Sequence, residues 1–309
     1  MSSRVGLSRF PRALYPSEVG RDARLIVKPD FSLDPARPLS QSSTRSRRAG
    51  LIGSLLDSLP YFGRTRLTAT TGAAVFDVQM VKDLSLTHLV REPTARSAGK
   101  PPLLLLLHGV GSNEADLFGL APYLDARFLV VSARAPVVMG YDAYGWFNIE
   151  FTPAGLVADV AQARASLRRL AVFLDELTDA YSADPRRVYL LGFSQGAMMS
   201  LGLTLSHPSK VAGVVAMSGR FPAELLAEAR DADALAGLPV LVTHGTLDQV
   251  LPVANGRAVR DALSELPVTL TYREYPMAHE VSQESLRDVA AWLTRALAAS
   301  EMAGTGEGR

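Results

Sequence analysis

The chain has 309 residues, enough for one domain with a large core, and combines 48% apolar with 20% charged residues, an ordinary balance for a globular protein. Its formal net charge of +1 gives no overall reason to expect nucleic acid or an acidic surface as a partner. Cysteine is absent, which excludes disulfides, a thiol nucleophile and thiolate metal sites, and fits the cytoplasmic location that we expect. No apolar run approaches the roughly 18 residues of a membrane span.

The beginning of the chain differs in composition from the rest. Residues 1–65 are rich in arginine, serine and proline, most densely between Ser42 and Arg48, and they lack the apolar segment of a secretory signal. We therefore expect residues 1–65 to be a disordered or loosely docked extension and residues 66–299 to form a single α/β domain. Residues 300–309 are expected to be a flexible tail.

After the extension, short apolar runs alternate with amphipathic segments. The predicted strands cover Ala73 to Val81, Leu84 to Val90, Leu103 to Leu107, Phe128 to Val131, Val188 to Leu191, Val211 to Met217, Val240 to Thr243 and Val268 to Tyr272. The predicted helices cover Leu156 to Tyr181, a stretch after Gly196, Ala223 to Ala236, Asn255 to Leu266 and Glu280 to Leu297. Such alternation predicts an α/β fold, with a mostly parallel central sheet and helices on both faces.

One strand-like run ends in Gly-Phe-Ser-Gln-Gly and is followed by a helix-like run. Strand, sharp turn and helix are the context that G-x-S-x-G requires, and they leave the serine exposed above a helix N-terminus. Side chains at Gly192 and Gly196 would collide with the neighbouring strand and helix. Ser194 is therefore the candidate nucleophile, with a purely structural Gly-Ser turn as the alternative.

A serine nucleophile needs a base and a carboxylate that orients it, and in α/β-hydrolases the acid and then the histidine follow the serine. Three of the five histidines follow Ser194. We take His279 as the base, because it lies in a loop between the last predicted strand and helix. Asp248, shortly after another predicted strand, is the candidate acid. His207 lies at the far end of the helix after the serine, whereas His244 ends a strand and is the competing base.

An oxyanion formed at the serine needs two backbone N–H donors. The first is expected from Gln195, directly after the nucleophile, and the second from Val110 in the glycine-rich loop that begins at His108. We expect the imidazole of His108 to form hydrogen bonds within this loop rather than to act as a base. The loop lacks Gly-Lys-Ser/Thr, which argues against a phosphate-binding site.

Four segments, in this order, resemble the phospholipase/carboxylesterase family of the α/β-hydrolase superfamily, which includes the acyl-protein thioesterases. They are the loop from His108 to Asp116, the elbow from Gly192 to Gly196, the segment from His244 to Pro252 and the segment from Tyr275 to His279. The resemblance covers residues 75–298. It implies an α/β-hydrolase fold and a catalytic triad of Ser194, Asp248 and His279, with oxyanion donors at Val110 and Gln195.

The resemblance also implies which residues contact the substrate. Gly109 lies in the oxyanion loop, and Trp146 and Phe147 belong to a segment that resembles the family's aromatic loop near the acyl site. Asn148 stands where the family usually has aspartate.

The implied function is a serine hydrolase that cleaves carboxylic esters, thioesters among them, through an acyl-enzyme on Ser194. It needs no cofactor and no metal, and its partner is a small-molecule or acylated substrate. Two alternatives stay open: the same residues acting on lactones or peptides, and a non-catalytic binding protein that kept the fold. The sequence also leaves the oligomeric state open, a homodimer included.

Overall fold

The computed structural model describes residues 65–71, 74–80, 84–97, 99–152, 155–225 and 233–306. The extension expected over residues 1–65 therefore lies outside the described residues, except for Thr65, which begins the first strand.

Within the described ranges, thirteen strands form one large sheet and two separate hairpins. In chain order they are β1 (Thr65–Thr71), β2 (Ala74–Met80), β3 (His88–Arg91), β4 (Leu103–Leu107), β5 (Leu129–Ala133), β6 (Val137–Gly140), β7 (Ala143–Gly145), β8 (Ile149–Thr152), β9 (Gly155–Ala158), β10 (Val188–Phe193), β11 (Gly213–Met217), β12 (Pro239–Gly245) and β13 (Thr269–Tyr275). The nine-stranded sheet has the order β1-β2-β3-β5-β4-β10-β11-β12-β13.

The sheet is antiparallel at one side and parallel over the rest. β1, β2, β3 and β5 pair antiparallel with one another in that order, whereas β5, β4, β10, β11, β12 and β13 run parallel. The carboxyl ends of these six strands meet at one edge, where open α/β sheets bind their ligands. The hairpins β6–β7 and β8–β9 follow β5 and were not predicted from the sequence.

The α-helices cover both faces of the sheet. They are α1 (Glu114–Phe118), α2 (Val160–Ala180), α3 (Gln195–Ser206), α4 (Ala254–Ser264) and α5 (Gln283–Gly306). The hydrophobic core is divided into two clusters, one on each face of the sheet, and β4 contributes to both with five fully buried leucines. Leu103, Leu105 and Leu107 pack in the cluster with α2, α3 and α4, and Leu104 and Leu106 pack in the cluster with α1 and α5. Successive strand side chains point to opposite faces, so one leucine run supplies two cores. The α/β prediction is confirmed.

Two helices differ from their predicted bounds. α2 begins at Val160 rather than Leu156, because Asp159 caps it through a 2.9 Å hydrogen bond from the Gln162 N–H. α5 begins at Gln283 rather than Glu280 and continues to Gly306, into the residues expected to be a flexible tail, whose flexibility stays a prediction. Glu301 of that last stretch pairs with Arg127 at 2.8 Å and with Arg187 at 3.5 Å, so the final turns are tied to the body of the domain.

Two other predicted elements are shorter in the structure. The strand expected from Leu84 to Val90 is reduced to β3, because residues 84–86 bend where the Ser85 N–H donates to the Glu176 carboxylate at 2.8 Å. The helix expected from Ala223 to Ala236 is wrong at both ends, where the chain forms single 3₁₀ turns at Ala223–Leu225 and Asp233–Leu235. Residues 226–232 between the turns lie outside the described part of the chain.

None of the helices in the described ranges combines the length and the apolar character that crossing a membrane requires.

Candidate active site

The candidate site lies at the carboxyl edge of the parallel strands. Ser194 directly follows β10, Asp248 follows β12 by three residues, and His279 follows β13 by four. Because β10, β11, β12 and β13 are successive neighbours in the sheet, their loops emerge side by side. The topology thus brings together three residues that are far apart in the sequence.

Ser194 occupies a sharp turn whose backbone is strained. Its φ of 54° and ψ of −115° lie in a region that side-chain-bearing residues rarely adopt, at a cost of about 1–3 kcal/mol. The turn is held by a 2.9 Å hydrogen bond from the Ser194 N–H to the Met217 carbonyl. A Cβ at Gly192 would lie 2.2 Å from the Gly196 oxygen, and one at Gly196 would lie 1.9 Å from the Leu107 oxygen. Both flanking positions therefore require glycine.

Ser194, His279 and Asp248 form a continuous chain of hydrogen bonds. The Ser194 Oγ lies 3.0 Å from His279 Nε2, and His279 Nδ1 lies 2.7 Å from Asp248 Oδ2. The carboxylate favours a proton on Nδ1, which leaves the Nε2 lone pair facing the serine hydroxyl. The His279 ring also packs on Phe193, with 4.8 Å between the ring centroids. The arrangement suits transfer of the serine proton to the imidazole.

Asp248 is held by its own loop. Its Oδ1 accepts the backbone N–H groups of Val250 at 2.9 Å and Leu251 at 2.8 Å, and its side chain is fully buried. These two hydrogen bonds hold the carboxylate in the orientation in which Oδ2 contacts His279.

His244, the competing base, lies behind Asp248 rather than beside the serine. Its imidazole is fully buried, with Nε2 donating to the Leu251 carbonyl at 2.7 Å and lying 3.6 Å from Asp248 Oδ2. Within the described part of the chain, its Nδ1 has no hydrogen-bond partner. Burial lowers the pKa of His244 and so favours the neutral ring. These contacts indicate a structural role in the loop that carries Asp248.

The other three histidines are also placed away from a base's position. His108 Nδ1 donates to the Gly109 carbonyl at 2.7 Å and its Nε2 accepts the Ala135 N–H at 3.0 Å, so the ring forms hydrogen bonds within and next to the glycine-rich loop. Burial lowers the pKa of His108 to about 4. His88 is buried between the Leu86 carbonyl and a tyrosine hydroxyl, and His207 ends α3, at the opposite end of this helix from Ser194.

The two expected oxyanion donors belong to two separate segments that adjoin Ser194. Gln195 is the first residue of α3, where backbone N–H groups have no partner within the helix and the dipole favours negative charge. A Cβ at Gly109 would lie 3.4 Å from the Ser194 Cβ, which places the residue before Val110 directly against Ser194. Within the described residues, neither the Val110 nor the Gln195 N–H donates to another backbone group.

Trp146 and Phe147 are buried rather than displayed to solvent, with exposed fractions of 0% and 1%. The indole N–H of Trp146 donates to the His108 carbonyl at 2.9 Å, and its own carbonyl accepts the Ser166 hydroxyl at 2.6 Å. The Gln195 side chain binds the backbone of both aromatic residues. Asn148, next in the chain, is exposed. The aromatic segment thus supports the glycine-rich loop and the residue after Ser194 through hydrogen bonds.

Sequence reasoning missed the polar contacts around this segment. Glu114 and Arg134 form a bidentate ion pair, and the Arg134 guanidinium lies 4.5 Å from the Tyr144 ring centroid. Tyr144 in turn pairs its backbone with Ser112 of the glycine-rich loop. The only sequence signal was indirect, since Glu114 and Gln195 are polar residues inside otherwise recognisable motifs. Within the described residues, no cluster of histidine and acidic side chains has the grouping of a metal site.

A mostly parallel sheet with a strained serine elbow, joined to a histidine and an aspartate from later loops, defines the class of the α/β-hydrolases. Within that class, the chain belongs to the phospholipase/carboxylesterase family, whose family model matches residues 92–297.

Individual relatives agree with this membership. The chain is 28% identical over 230 residues to a probable carboxylesterase SOBER1-like of Arabidopsis thaliana, covering 71% of this chain and 86% of that protein. It is 28% identical over 214 residues to acyl-protein thioesterase 1 of Kluyveromyces lactis, covering 63% and 92%. Among solved structures, esterase PE8 is similar with 30% identity and a TM-score of 0.57, over 67% of this chain and 96% of that one.

Proposed function

We propose that this chain hydrolyses carboxylic esters, thioesters among them, through an acyl-enzyme on Ser194. The observation that carries the proposal is the unbroken hydrogen-bonded chain from Ser194 Oγ through the His279 imidazole to the Asp248 carboxylate. Membership of the phospholipase/carboxylesterase family supports the same reaction class.

In the proposed reaction, His279 Nε2 takes the hydroxyl proton as Ser194 Oγ attacks the acyl carbon. The oxyanion of the tetrahedral intermediate accepts hydrogen bonds from the Val110 and Gln195 N–H groups, and Asp248 stabilises the imidazolium. His279 then protonates the departing alcohol or thiol, which leaves an acyl-enzyme. Water, deprotonated by the same imidazole, attacks the acyl carbon. The bond from the acyl carbon to Ser194 Oγ then breaks, His279 returns the proton to that oxygen, and the acid is released. Each step uses groups of the protein and water alone.

The acyl portion of the substrate is assigned to the region beside Gly109, whose backbone adjoins the nucleophile. Contact of the substrate with Trp146 and Phe147 stays a prediction. The relative named as an acyl-protein thioesterase supports thioesters as a second substrate class. Lactones and peptides use the same acyl-transfer steps and are the alternatives that a substrate comparison must include.

Two experiments test the proposal. A fluorophosphonate probe reacts with an activated serine, and we expect it to label the wild type but not Ser194→Ala. A panel of acyl esters and thioesters of rising chain length, with lactones and peptides beside it, then identifies the substrate class. Absence of both labelling and turnover in folded protein would support the non-catalytic alternative instead.

A cytoplasmic location is proposed on the basis of the cysteine-free composition. A homodimer is one of the oligomeric states that the sequence leaves open, and light scattering on the purified protein measures which state forms.

A further inference from the structure

The side chain of Gln195 has a separate set of contacts from its backbone N–H. Its Oε1 accepts the Trp146 N–H at 2.7 Å, and its Nε2 donates to the Phe147 carbonyl at 2.8 Å. The residue is 2% exposed, so water cannot replace these partners. One bond needs an acceptor and the other a donor, and a carboxamide is the group that supplies both from one planar end.

The segment that Gln195 holds also supports the opposite wall of the site. The Trp146 indole N–H donates to the His108 carbonyl at 2.9 Å. Two residues earlier, the Tyr144 carbonyl accepts the Gly111 N–H and the Tyr144 N–H donates to the Ser112 carbonyl, each at 2.8 Å. Residues 144–147 therefore lie between the serine elbow and the loop that contains Val110, with hydrogen bonds to both.

The hydrogen bonds of residues 144–147 connect two parts of the site that are far apart in the sequence. One proposed oxyanion donor follows β10 and the other follows β4, so their spacing depends on how the two loops are held. Stabilisation of an oxyanion requires both donors at hydrogen-bond distance from one atom, and small displacements weaken it.

We infer that the Gln195 side chain is a positioning residue for the oxyanion hole, acting through residues 144–147 on the loop that carries Val110. This inference rests on the proposed function. It assigns to one residue two distinct roles, since the backbone N–H faces the substrate oxygen while the carboxamide fixes the partner donor.

The first test replaces the carboxamide by a side chain of similar length that cannot form hydrogen bonds. For Gln195→Met we expect kcat to fall about tenfold or more, but less than the 10²–10³ lost with a whole oxyanion donor, while KM changes little. Gln162→Met is the matched control, because the Gln162 carboxamide accepts the backbone N–H of Asn148, the exposed residue directly after the segment. It should leave kcat unchanged within about twofold. Equal kcat values for the two variants, or a rise in KM alone for Gln195→Met, would overturn the inference.

The second test uses pH to change whether the side chain at position 195 can donate a hydrogen bond. In Gln195→Glu, an ionised carboxylate cannot donate to the Phe147 carbonyl, whereas the protonated acid can. Burial raises the pKa of an introduced carboxyl group, so we expect the ratio of variant to wild-type kcat/KM to rise as the pH falls from about 8 to about 6. The Gln195→Met ratio should stay flat over this range. A flat ratio for Gln195→Glu as well would contradict the positioning role even if Gln195→Met is poorly folded.

A third measurement does not depend on activity. The chain has two tryptophans, so Trp292→Phe leaves Trp146 as the sole indole reporter. Adding Gln195→Met should increase quenching of the Trp146 fluorescence by acrylamide, while adding Gln162→Met should not. Unchanged quenching would mean that Gln195 does not hold the segment. Wild-type protein without esterase activity would instead refute the proposed function and leave this measurement valid.

Discussion

Nδ1 of His279 lies 2.7 Å from Oδ2 of Asp248, while the other oxygen of the same carboxylate accepts two backbone N–H groups. Each carboxylate oxygen thus has its own donors. These hydrogen bonds restrict rotation of the carboxylate that contacts the imidazole. This division explains why a buried acid can hold one tautomer of the histidine ring.

Asp248→Asn tests that relationship. The amide keeps the shape of the side chain, but it can present an N–H to His279 Nδ1 and so favour the wrong tautomer. We expect kcat to fall on the order of 10⁴-fold with the fold retained. Steady-state kinetics on the most reactive ester, with circular dichroism as the control for folding, measure this. A variant with near wild-type kcat would remove Asp248 from the proposed mechanism.

Ser194→Ala removes the proposed nucleophile and should reduce kcat on the order of 10⁶-fold. Ser200→Ala is the matched control, since Ser200 is a fully buried serine of α3, the helix that begins directly after Ser194. Its hydroxyl has no hydrogen-bond partner within the described residues, so its removal breaks no such bond. Activity of Ser194→Ala within tenfold of the Ser200→Ala enzyme would exclude a serine acyl-enzyme at this position.

His279→Gln and His244→Gln distinguish the proposed base from its buried neighbour. His279→Gln should be almost inactive, because an amide cannot take the serine proton. His244→Gln keeps a donor that can reach the Leu251 carbonyl, so we expect activity within about tenfold of wild type and a lower unfolding temperature. The two variants are compared by kcat and by thermal unfolding. An active His279→Gln beside an inactive His244→Gln would reverse the two roles.

His108 predicts a pH dependence of stability. Its pKa is lowered from 6.5 to about 4 in the folded protein, chiefly by burial, so the unfolded chain binds more protons between these values. Stability from the neutral ring is therefore fully present above pH 6.5 and is lost as the pH falls toward 4. The loss is roughly 3 kcal/mol for this group. Chemical unfolding across this range should show a shallower pH dependence for His108→Gln than for wild type, and equal slopes would refute the assignment.

Several features were determined by the sequence itself because their causes are local. Five successive leucines in one strand place apolar side chains on both faces of the sheet, so both faces must be covered. The structure buries all five leucines of β4. The elbow around Ser194 depends on adjacent glycines, whose steric need can be deduced from the motif alone. The order of serine, acid and histidine along the chain likewise predicted Asp248 as the acid and His279 as the base.

Other features were decided by tertiary contacts between distant residues. His279 and Ser194 are 85 positions apart, so their 3.0 Å separation depends on neighbouring strands ending at one edge of the sheet. α5 extends past residue 300 because Glu301 forms ion pairs with Arg127 and Arg187. Neither ion pair can be predicted from the sequence near residue 300. The contact of Gln195 with the backbone of Trp146 spans 49 positions. Periodicity and motifs reflect interactions between residues that are close in the sequence. Pairs of residues that are distant in the sequence form only when the packed sheet brings their loops together.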